Sequence, residues 1–234
     1  MGAHDMEDFW DARAREDAFW FVDNRRTYGA GDDPAFWEAG ERAVEGLRAE
    51  LGWQLSPNDV VVDVGCGVGR LTRALSNRVA RVIALDVSSE MLARARRLNP
   101  DLANVEWLHG DGRSLNPVAD GSVDGCISHV VFRHLPSPSI TLGYIREMGR
   151  VLRPGGRAAF DLSTDPLVHK RDRYKRRRLA TALRLGPRGT ANEAWLGSAV
   201  DLADVHAAAA DCGLRVERTL GEGTDLCLVL AQRR

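Results

Sequence analysis

The chain has 234 residues, of which 44% are hydrophobic and 28% are charged, as in an ordinary globular protein of one domain. Its formal net charge of −1 excludes a general electrostatic attraction to nucleic acid or to an anionic membrane. No apolar run approaches the ~20 residues that span a bilayer, and the acidic N-terminus lacks the apolar core of a signal peptide, so we expect a cytoplasmic protein.

The first predicted elements are helices over residues 7–52, a segment rich in aromatic side chains. Eight of the fifteen aromatic residues fall within the first 37 positions. That density indicates either a helical cap on the ligand-bearing edge of the following domain or a set of rings that anchor the helices to the core. Tyr28 lies in the predicted loop between these helices, and its hydroxyl is a candidate to face the ligand pocket.

A strand over residues 60–64 then runs into a glycine-rich turn with glycines at 65, 67 and 69 and into a helix from Arg70 to about residue 78. The strand is a run of β-branched residues, which is typical of a parallel strand covered on both faces. A dinucleotide fingerprint needs a glycine where Arg70 stands, and a P-loop needs a Gly-Lys pair that the chain lacks. With Asp63 just before it, the turn predicts a nucleotide-like ligand of another class.

The next two predicted strands also end in acids. Residues 81–86 end at Asp86, 21 residues after Gly65, where a carboxylate can accept both hydroxyls of a ribose. The alternative is that Asp86 helps to cap the following helix, which begins at Ser88 or Ser89. A third strand, from residue 105, ends in Gly-Asp-Gly, whose Asp111 is either a ligand-binding residue or an ordinary turn residue.

The remaining elements continue the alternation of strands and helices that is typical of a doubly wound sheet. A fourth strand precedes His129 and His134, and a helix over residues 142–152 ends before Pro-Gly-Gly and a fifth strand. A helix over 201–212 and two strands near 214–220 and 225–231 predict a final antiparallel hairpin.

A basic stretch, residues 169–188, holds nine Lys or Arg against one acid. Such a run is a solvated helix face, a clamp for an anionic substrate, or a partner for the acidic N-terminal helix.

In this order the motifs resemble those of the class I S-adenosylmethionine-dependent methyltransferases, specifically the small-molecule enzymes of the type 11 and type 25 kind. The resemblance implies an α/β fold: a Rossmann-like, seven-stranded, mostly parallel sheet in the order 3-2-1-4-5-7-6, with helices on both faces and an N-terminal helical cap. It implies one domain, made of the cap (1–52), the cofactor-binding core (53–164), a basic helical substrate-side segment (165–200) and the final helix with its hairpin (201–234).

The same resemblance implies S-adenosylmethionine as cofactor and S-adenosylhomocysteine as product. By position, the residues expected to bind the cofactor are Asp63, Gly65, Cys66, Gly67, Asp86, Val87, Met91, Gly110, Asp111, Gly112 and Ser128.

Candidate catalytic residues follow the fourth strand, because ligands of open α/β sheets bind outside the carboxyl ends of the strands. His129 and His134 lie there, and histidine side chains suit base chemistry near neutrality. His129 is either a general base or a residue that lines the cofactor site. His134 is either a base or a structural residue before the next helix. Tyr28 is the third candidate.

Absent motifs narrow the chemistry further. The residues from Ser128 to Val131 do not match the [N/D]-P-P-[Y/F] sequence of base N-methyltransferases, which argues against methylation of the amino group of a nucleic acid base and against nucleic acid as a partner. The carboxylate cluster of the metal-dependent catechol enzymes is also missing, and the four cysteines form no C-x-x-C pair, so we expect no metal.

The sequence therefore predicts in-line SN2 methylation of a small-molecule metabolite by a monomer or homodimer, with oxygen favoured over carbon or nitrogen as the acceptor atom. Three alternatives stay open: a nicotinamide oxidoreductase, an S-adenosylmethionine-binding protein without transfer activity, and an RNA methyltransferase that uses the basic stretch. The acceptor is selected by the cap and the segment after the fifth strand, and neither carries a motif that names it.

Overall fold

A computed structural model describes residues 3–169, 187–190 and 192–234. Most of the predicted basic stretch, residues 169–188, therefore lies outside the described residues. The elements in chain order are α1 (Ala3–Val22), α2 (Pro34–Leu51), β1 (Val60–Val64), α3 (Arg70–Ser76), β2 (Arg81–Asp86), α4 (Ser89–Leu98), β3 (Val105–His109), β4 (Val123–Ser128), a 3₁₀ turn (Phe132–His134), α5 (Pro138–Val151), β5 (Leu152–Leu162), α6 (Glu193–Leu196), α7 (Leu202–Asp211), β6 (Leu214–Leu220) and β7 (Cys227–Arg233).

The seven strands form one sheet in the order β3-β2-β1-β4-β5-β7-β6, which confirms the predicted fold. Strands β1 to β5 pair in parallel, whereas β7 is antiparallel to both β5 and β6. The carboxyl ends of the five parallel strands consequently meet at one edge, where the turns and loops that follow them are brought together.

Burial explains why β1 takes the central position. Val61, Val62 and Val64 are at most 2% exposed, and helices cover both faces of the sheet. Helix α2 packs against α3 along a buried face, and Gly40 makes their close approach possible, since a Cβ there would lie 2.2 Å from the carbonyl oxygen of Arg70.

Some boundaries differ from the sequence prediction. Helix α5 begins at Pro138 rather than residue 142, because Ser137 caps it by accepting from Ser139 N and proline suits the first helical turn. Helix α3 ends at Ser76, two residues early. Strand β7 begins at Cys227, because Thr224 N donates to Gly221 O in a turn before it.

Helix α1 lies along the carboxyl edge of the sheet and is held there by a buried acid. The carboxylate of Asp11 accepts from Ser88 Oγ (2.6 Å), Ser89 Oγ (3.1 Å) and Glu90 N (3.0 Å). These groups surround the N-terminus of α4, where a negative charge is favoured by the helix dipole. Asp11 thus fixes the N-terminal helix to the body of the protein. None of the described helices is long and apolar enough to cross a membrane.

Replacing Asp11 should loosen this attachment. We expect Asp11→Ala to lower the free energy of unfolding by roughly 1–3 kcal/mol, because it leaves buried donors without an acceptor. Urea unfolding followed by circular dichroism measures the change. Asp8→Ala is the matched control on the same helix and should change the free energy by less than about 0.5 kcal/mol. Equal effects of the two substitutions would refute the attachment.

Candidate functional site

A cavity opens at the carboxyl edge, between the ends of β1, β2 and β4 on one side and α1 on the other. Its walls combine apolar side chains with a small number of buried polar ones, as ligand cavities commonly do. Residues that line it include Met6, Trp10, Val22, Asp63, Gly65, Cys66, Gly67, Arg70, Asp86, Val87, Met91, Gly112, His129, Val131, His134 and Tyr144.

The glycine turn forms the floor of the cavity. Gly65 N (2.7 Å) and Cys66 N (3.1 Å) both donate to Leu85 O, which ties the turn to β2. Gly65 has a φ of 74°, and a Cβ there would lie 2.5 Å from Val131 Cγ2. Only glycine satisfies both the left-handed backbone and this close approach, as the sequence predicted.

Two acids stand at the tips of β1 and β2. Burial raises the pKa of Asp63 to about 6, and Thr72 Oγ1 donates to its Oδ2 at 2.6 Å. Burial also raises the pKa of Asp86. Asp86 accepts from Gly67 N and from Ser88 N, both at 2.8 Å. It therefore joins the glycine turn to the start of α4, while still lining the cavity. Both alternatives for Asp86 are compatible with this position.

Arg70, the first residue of α3, is a member of the site that sequence reasoning did not identify. The residue is 3% exposed, and its Nε and Nη1 have no hydrogen-bond partner among the described residues. Burial lowers the pKa of its guanidinium. The sequence signal was the presence of arginine where a dinucleotide fold has glycine, but that signal did not indicate burial.

His129 is paired with Asp161, a further acid that the sequence analysis missed. Its Nδ1 contacts the Oδ2 of Asp161, a fully buried residue near the end of β5. Asp161 also accepts from Val130 N at 2.9 Å. Val130 has a φ of 61°, a strained conformation for a β-branched residue. Asp161 thus holds both the histidine ring and the strained backbone beside it.

This pairing fixes the tautomer of His129, because a carboxylate accepts the proton of the nitrogen that faces it. Nε2 is then left as the accepting nitrogen. His129 lines the cavity at the carboxyl edge and also lines a second cavity.

The second cavity lies between α2, the loop before it and the start of β7. Alanines from one face of α2, together with Leu226 and Leu228, make its floor, and Arg25, Arg26 and Arg42 stand among its walls with Asp23, Asp33 and Glu50. Arg26 and Asp33 form an ion pair, as do Arg25 and Asp23, at 2.7 Å in the latter case.

His134 lines the first cavity but is a weaker candidate for a base. Its ring packs between Trp10 and Trp195, and its Nδ1 lies 2.7 Å from Trp195 O. Burial lowers the pKa of His134 to about 4, so the ring is neutral at physiological pH and a poor proton acceptor. Its contacts favour the structural alternative.

Tyr28 corrects the sequence analysis most clearly, since it does not line the cavity. The residue is 43% exposed, and its hydroxyl donates to Glu16 Oε1 at 2.7 Å. Burial and this hydrogen bond raise the pKa of Tyr28 to about 12, which also opposes a role as a base.

Three of the residues expected to bind the cofactor lie outside the cavity wall. Ser128 Oγ donates to Val64 O at 3.2 Å, and Gly110 N donates to Asp86 O at 2.9 Å. The exposed carboxylate of Asp111 accepts from Arg113 N and Ser114 N at 2.8 and 2.7 Å, which is the turn role left open above. The other eight expected residues are at the cavity.

Part of the chain is similar to known proteins. Residues 62–160 match the family described as a methyltransferase domain. The malonyl-[acyl-carrier protein] O-methyltransferase of Pectobacterium atrosepticum is 38% identical over 127 residues, which are 54% of this chain and 45% of the relative. Methyltransferase GfsG of Streptomyces halstedii is 36% identical over 154 residues, 59% of this chain and 50% of the relative. The chain thus spans half or less of these relatives.

Solved structures share the fold over a larger part of the chain. An S-adenosylmethionine-dependent methyltransferase from Mesorhizobium loti has a TM-score of 0.62 at 22% identity, covering 81% of this chain and 96% of its own. One from Aquifex aeolicus has a TM-score of 0.56 at 24% identity, covering 87% and 95%. Residues 62–160 of the chain are thus similar to the methyltransferase domain family, and the chain shares its fold with solved S-adenosylmethionine-dependent methyltransferases.

Proposed function

We propose that the protein transfers a methyl group from S-adenosylmethionine to a small-molecule acceptor, and that oxygen is the favoured acceptor atom. The observation that carries the proposal is His129, which lines both cavities and is oriented by Asp161. Because in-line displacement requires the acceptor to approach the methyl group opposite to its leaving sulfur, two ligands must meet at one point. His129 lines both cavities, so the cofactor and the acceptor would meet beside it.

The first cavity is proposed to hold the cofactor, which supplies an activated sulfonium methyl group. Its donors and acceptors fit that ligand: the glycine turn admits close backbone approach, and Asp86 stands at the strand tip where a carboxylate meets ribose hydroxyls. Arg70 Nε and Nη1 are buried without a hydrogen-bond partner among the described residues, which supports binding of a ligand with an anionic group. Met91, Val87 and Cys66 supply the apolar wall.

The second cavity is proposed to admit the acceptor. It reaches His129 from the side of α2 and β7, and its apolar floor with arginines and acids around it suits a small molecule with both apolar and polar parts. The accepting Nε2 of His129 would take the proton of an acceptor hydroxyl as the methyl group is transferred. Asp161 would stabilise the imidazolium that forms.

One relative is named for a small-molecule acceptor, and another for an acyl group carried on a protein. The names of two of them specify malonyl-[acyl-carrier protein] O-methylation and trans-aconitate 2-methylation, the latter from Azoarcus sp. at 38% identity over 52% of this chain. Oxygen is the favoured acceptor atom here because a hydroxyl, unlike an unprotonated amine, must lose its proton during transfer, and His129 is placed to receive one.

A labelling experiment tests the proposal. The protein is incubated with isotopically labelled S-adenosylmethionine and a metabolite extract, and labelled products are identified by mass spectrometry. We expect one dominant labelled small molecule carrying a new O-methyl group. Labelled RNA as the only product, or binding of the cofactor without any product, would instead favour one of the alternatives left open above.

A further inference from the structure

Helix α2 contains two glycines, and only the packing around the first requires one. A Cβ at Gly40 would lie 2.2 Å from Arg70 O, so a side chain is excluded there. A Cβ at Gly46 would have no neighbour within 4 Å in the part of the chain that the structure describes, although glycine inside a helix costs stability relative to alanine. Gly46 lines the second cavity, so its missing side chain leaves space in that cavity rather than room for a neighbouring element.

The wall that α2 gives to the second cavity carries small side chains. Ala35, Ala39 and Ala43 recur every four residues on one side of the helix, and with Gly46 they form what we call the alanine face. The cavity has a volume of about 590 Å³. A benzene molecule fits in about 150 Å³, so there is room for more than one ring. A wall of methyl groups without long or branched side chains suits a flat ring system.

A buried hydrogen-bond donor also lines this cavity. The side chain of Arg26 is 12% exposed, and its guanidinium packs over the ring of Phe36 at 4.9 Å. Its Nη2 donates to Gly31 O at 2.7 Å and to Asp33, whereas Nη1 is buried and has no hydrogen-bond partner among the described residues. Because Asp33 already balances the charge of Arg26, a neutral carbonyl is a better partner for Nη1 than a second carboxylate.

The histidine at the cavity favours an acidic hydroxyl as the acceptor. His129 lines the cavity, and Nε2 is its accepting nitrogen because Asp161 faces Nδ1. A phenol hydroxyl has a pKa of about 10, as in tyrosine, whereas water, which resembles an aliphatic alcohol in this respect, has one of about 15.7. Proton transfer to an imidazole is therefore far less uphill from a phenol than from an aliphatic alcohol.

We propose that the second cavity binds a planar phenol with a ring carbonyl: the rings lie on the alanine face, the carbonyl accepts from Arg26, and the hydroxyl meets His129. The inference rests on the proposed function, which takes this cavity as the acceptor site. The phenol oxygen forms a bond to the methyl carbon as the bond between that carbon and the cofactor's sulfur breaks. The phenol proton passes to Nε2 of His129, and the products are an aryl methyl ether and S-adenosylhomocysteine.

Three probes of similar size test the acceptor class. 6-Acetyl-2-naphthol has the planar rings, the hydroxyl and the carbonyl, 6-ethyl-2-naphthol lacks the carbonyl, and decahydro-2-naphthol is a puckered aliphatic alcohol. With labelled S-adenosylmethionine we expect wild type to methylate both naphthols, with kcat/KM about 10-fold higher for the acetyl compound, and to leave decahydro-2-naphthol unmethylated. Equal turnover of decahydro-2-naphthol and 6-ethyl-2-naphthol, or no turnover of either naphthol, would overturn the proposal.

Ala39→Leu tests the alanine face by filling it. We expect kcat/KM for 6-acetyl-2-naphthol to fall about 10–100-fold, mainly through KM, while the affinity for S-adenosylhomocysteine measured by calorimetry stays within about threefold of wild type. Ala49→Leu is the matched control, since Ala49 is exposed on the same helix and does not line the cavity. Its kinetics should equal those of wild type. Equal losses in the two variants would contradict a binding role for the alanine face.

Two glycine-to-alanine variants separate a binding role from a structural one. Gly143 lies inside α5, where a Cβ would meet only Arg113 O among the described residues, at 3.9 Å. Gly46→Ala and Gly143→Ala should both raise the midpoint of thermal unfolding by about 1–4 °C, because alanine favours a helix. Only Gly46→Ala should also raise KM for 6-acetyl-2-naphthol, by about threefold or more. An unchanged KM in Gly46→Ala would refute a ligand beside Gly46.

Arg26→Met removes the donor for the carbonyl and also the contacts of Nη2 with the loop before α2. The readout is therefore the ratio of kcat/KM for the acetyl and ethyl naphthols, which does not depend on how much of the protein is folded. The ratio should fall from about 10 to about 1, and an unchanged ratio would contradict the contact with Arg26.

The labelling experiment separates this inference from the proposed function. A labelled small molecule from the metabolite extract, without turnover of either naphthol, would leave the proposed function standing and refute the phenol. Failure to label any small molecule, extract and naphthols included, would refute both.

Discussion

His129→Gln should reduce kcat by about 10²–10⁴-fold on the acceptor found by the labelling experiment, while the affinity for S-adenosylhomocysteine changes by no more than a few fold. The physical reason is that glutamine cannot take a proton from the acceptor, although it can still fill much of the space between the two cavities. Steady-state kinetics and calorimetry measure the two quantities separately.

Asp161→Asn is the companion variant. An amide can present an NH₂ instead of an oxygen to Nδ1, so it favours the tautomer in which Nε2 carries the proton and cannot accept another. We expect kcat to fall and the affinity for S-adenosylhomocysteine to stay unchanged. Asp161 also accepts from Val130 N, so part of the loss arises from the loop itself.

His206→Gln is the matched control for both variants, since His206 is exposed on α7, away from either cavity. Its kcat should equal that of wild type. An unchanged kcat in His129→Gln, with the acceptor and cofactor both bound, would show that no base is needed at this position.

Asp63→Asn should make the ligand-free protein more stable above pH 6. Asp63 has a pKa of about 6 in the folded protein against an ordinary value of 3.8, so folding favours its protonated form. The folded state therefore binds more protons between these two values, and stability from this group is present below pH 3.8 and is lost as pH rises through about 6. The shift corresponds to roughly 3 kcal/mol at most.

The measurement is urea unfolding of Asp63→Asn and wild type between pH 4 and pH 8. The stability advantage of the variant should grow between about pH 4 and pH 6 and then stay constant, because asparagine never ionises. At about pH 4 the free energies of unfolding of the two proteins should differ only through the strength of the hydrogen bond that Thr72 Oγ1 donates to residue 63. Parallel curves over the whole range would contradict a raised pKa for Asp63.

The sheet and much of the lining of the first cavity could be predicted from sequence because both depend on local signals. A β-branched run before a glycine turn and an acid at the end of the next strand recur at fixed spacing, and the strand order follows once the final hairpin is recognised. Gly65 illustrates this, since its positive φ is a property of the turn itself. Asp63 and Asp86 were likewise expected to lie together because strand tips converge at one edge, and both line the cavity.

The remaining features of the site could not be predicted from sequence, because they depend on how strands and helices pack. Ser128 lies opposite Phe160 in the register of β4 and β5, so His129 and Asp161 are neighbours, but only once that register is known. The burial of Arg70 depends on contact with α2, which is far away in sequence. Tyr28 was misjudged because a loop position does not show which way its hydroxyl turns.

The environment of Asp111, in contrast, is set by residues next to it in sequence. The backbone nitrogens of Arg113 and Ser114 donate to its carboxylate within the same turn. The sequence allowed this turn role, but the resemblance to the family favoured a ligand-binding role.

Binding of S-adenosylhomocysteine, measured by calorimetry on the wild-type protein with NADH as the competing ligand, tests the account most directly. The glycine turn with Arg70 in place of a third glycine, and the acids at the tips of β1 and β2, predict saturable binding of S-adenosylhomocysteine at one site and no heat with NADH. Binding of NADH without any binding of S-adenosylhomocysteine would contradict it.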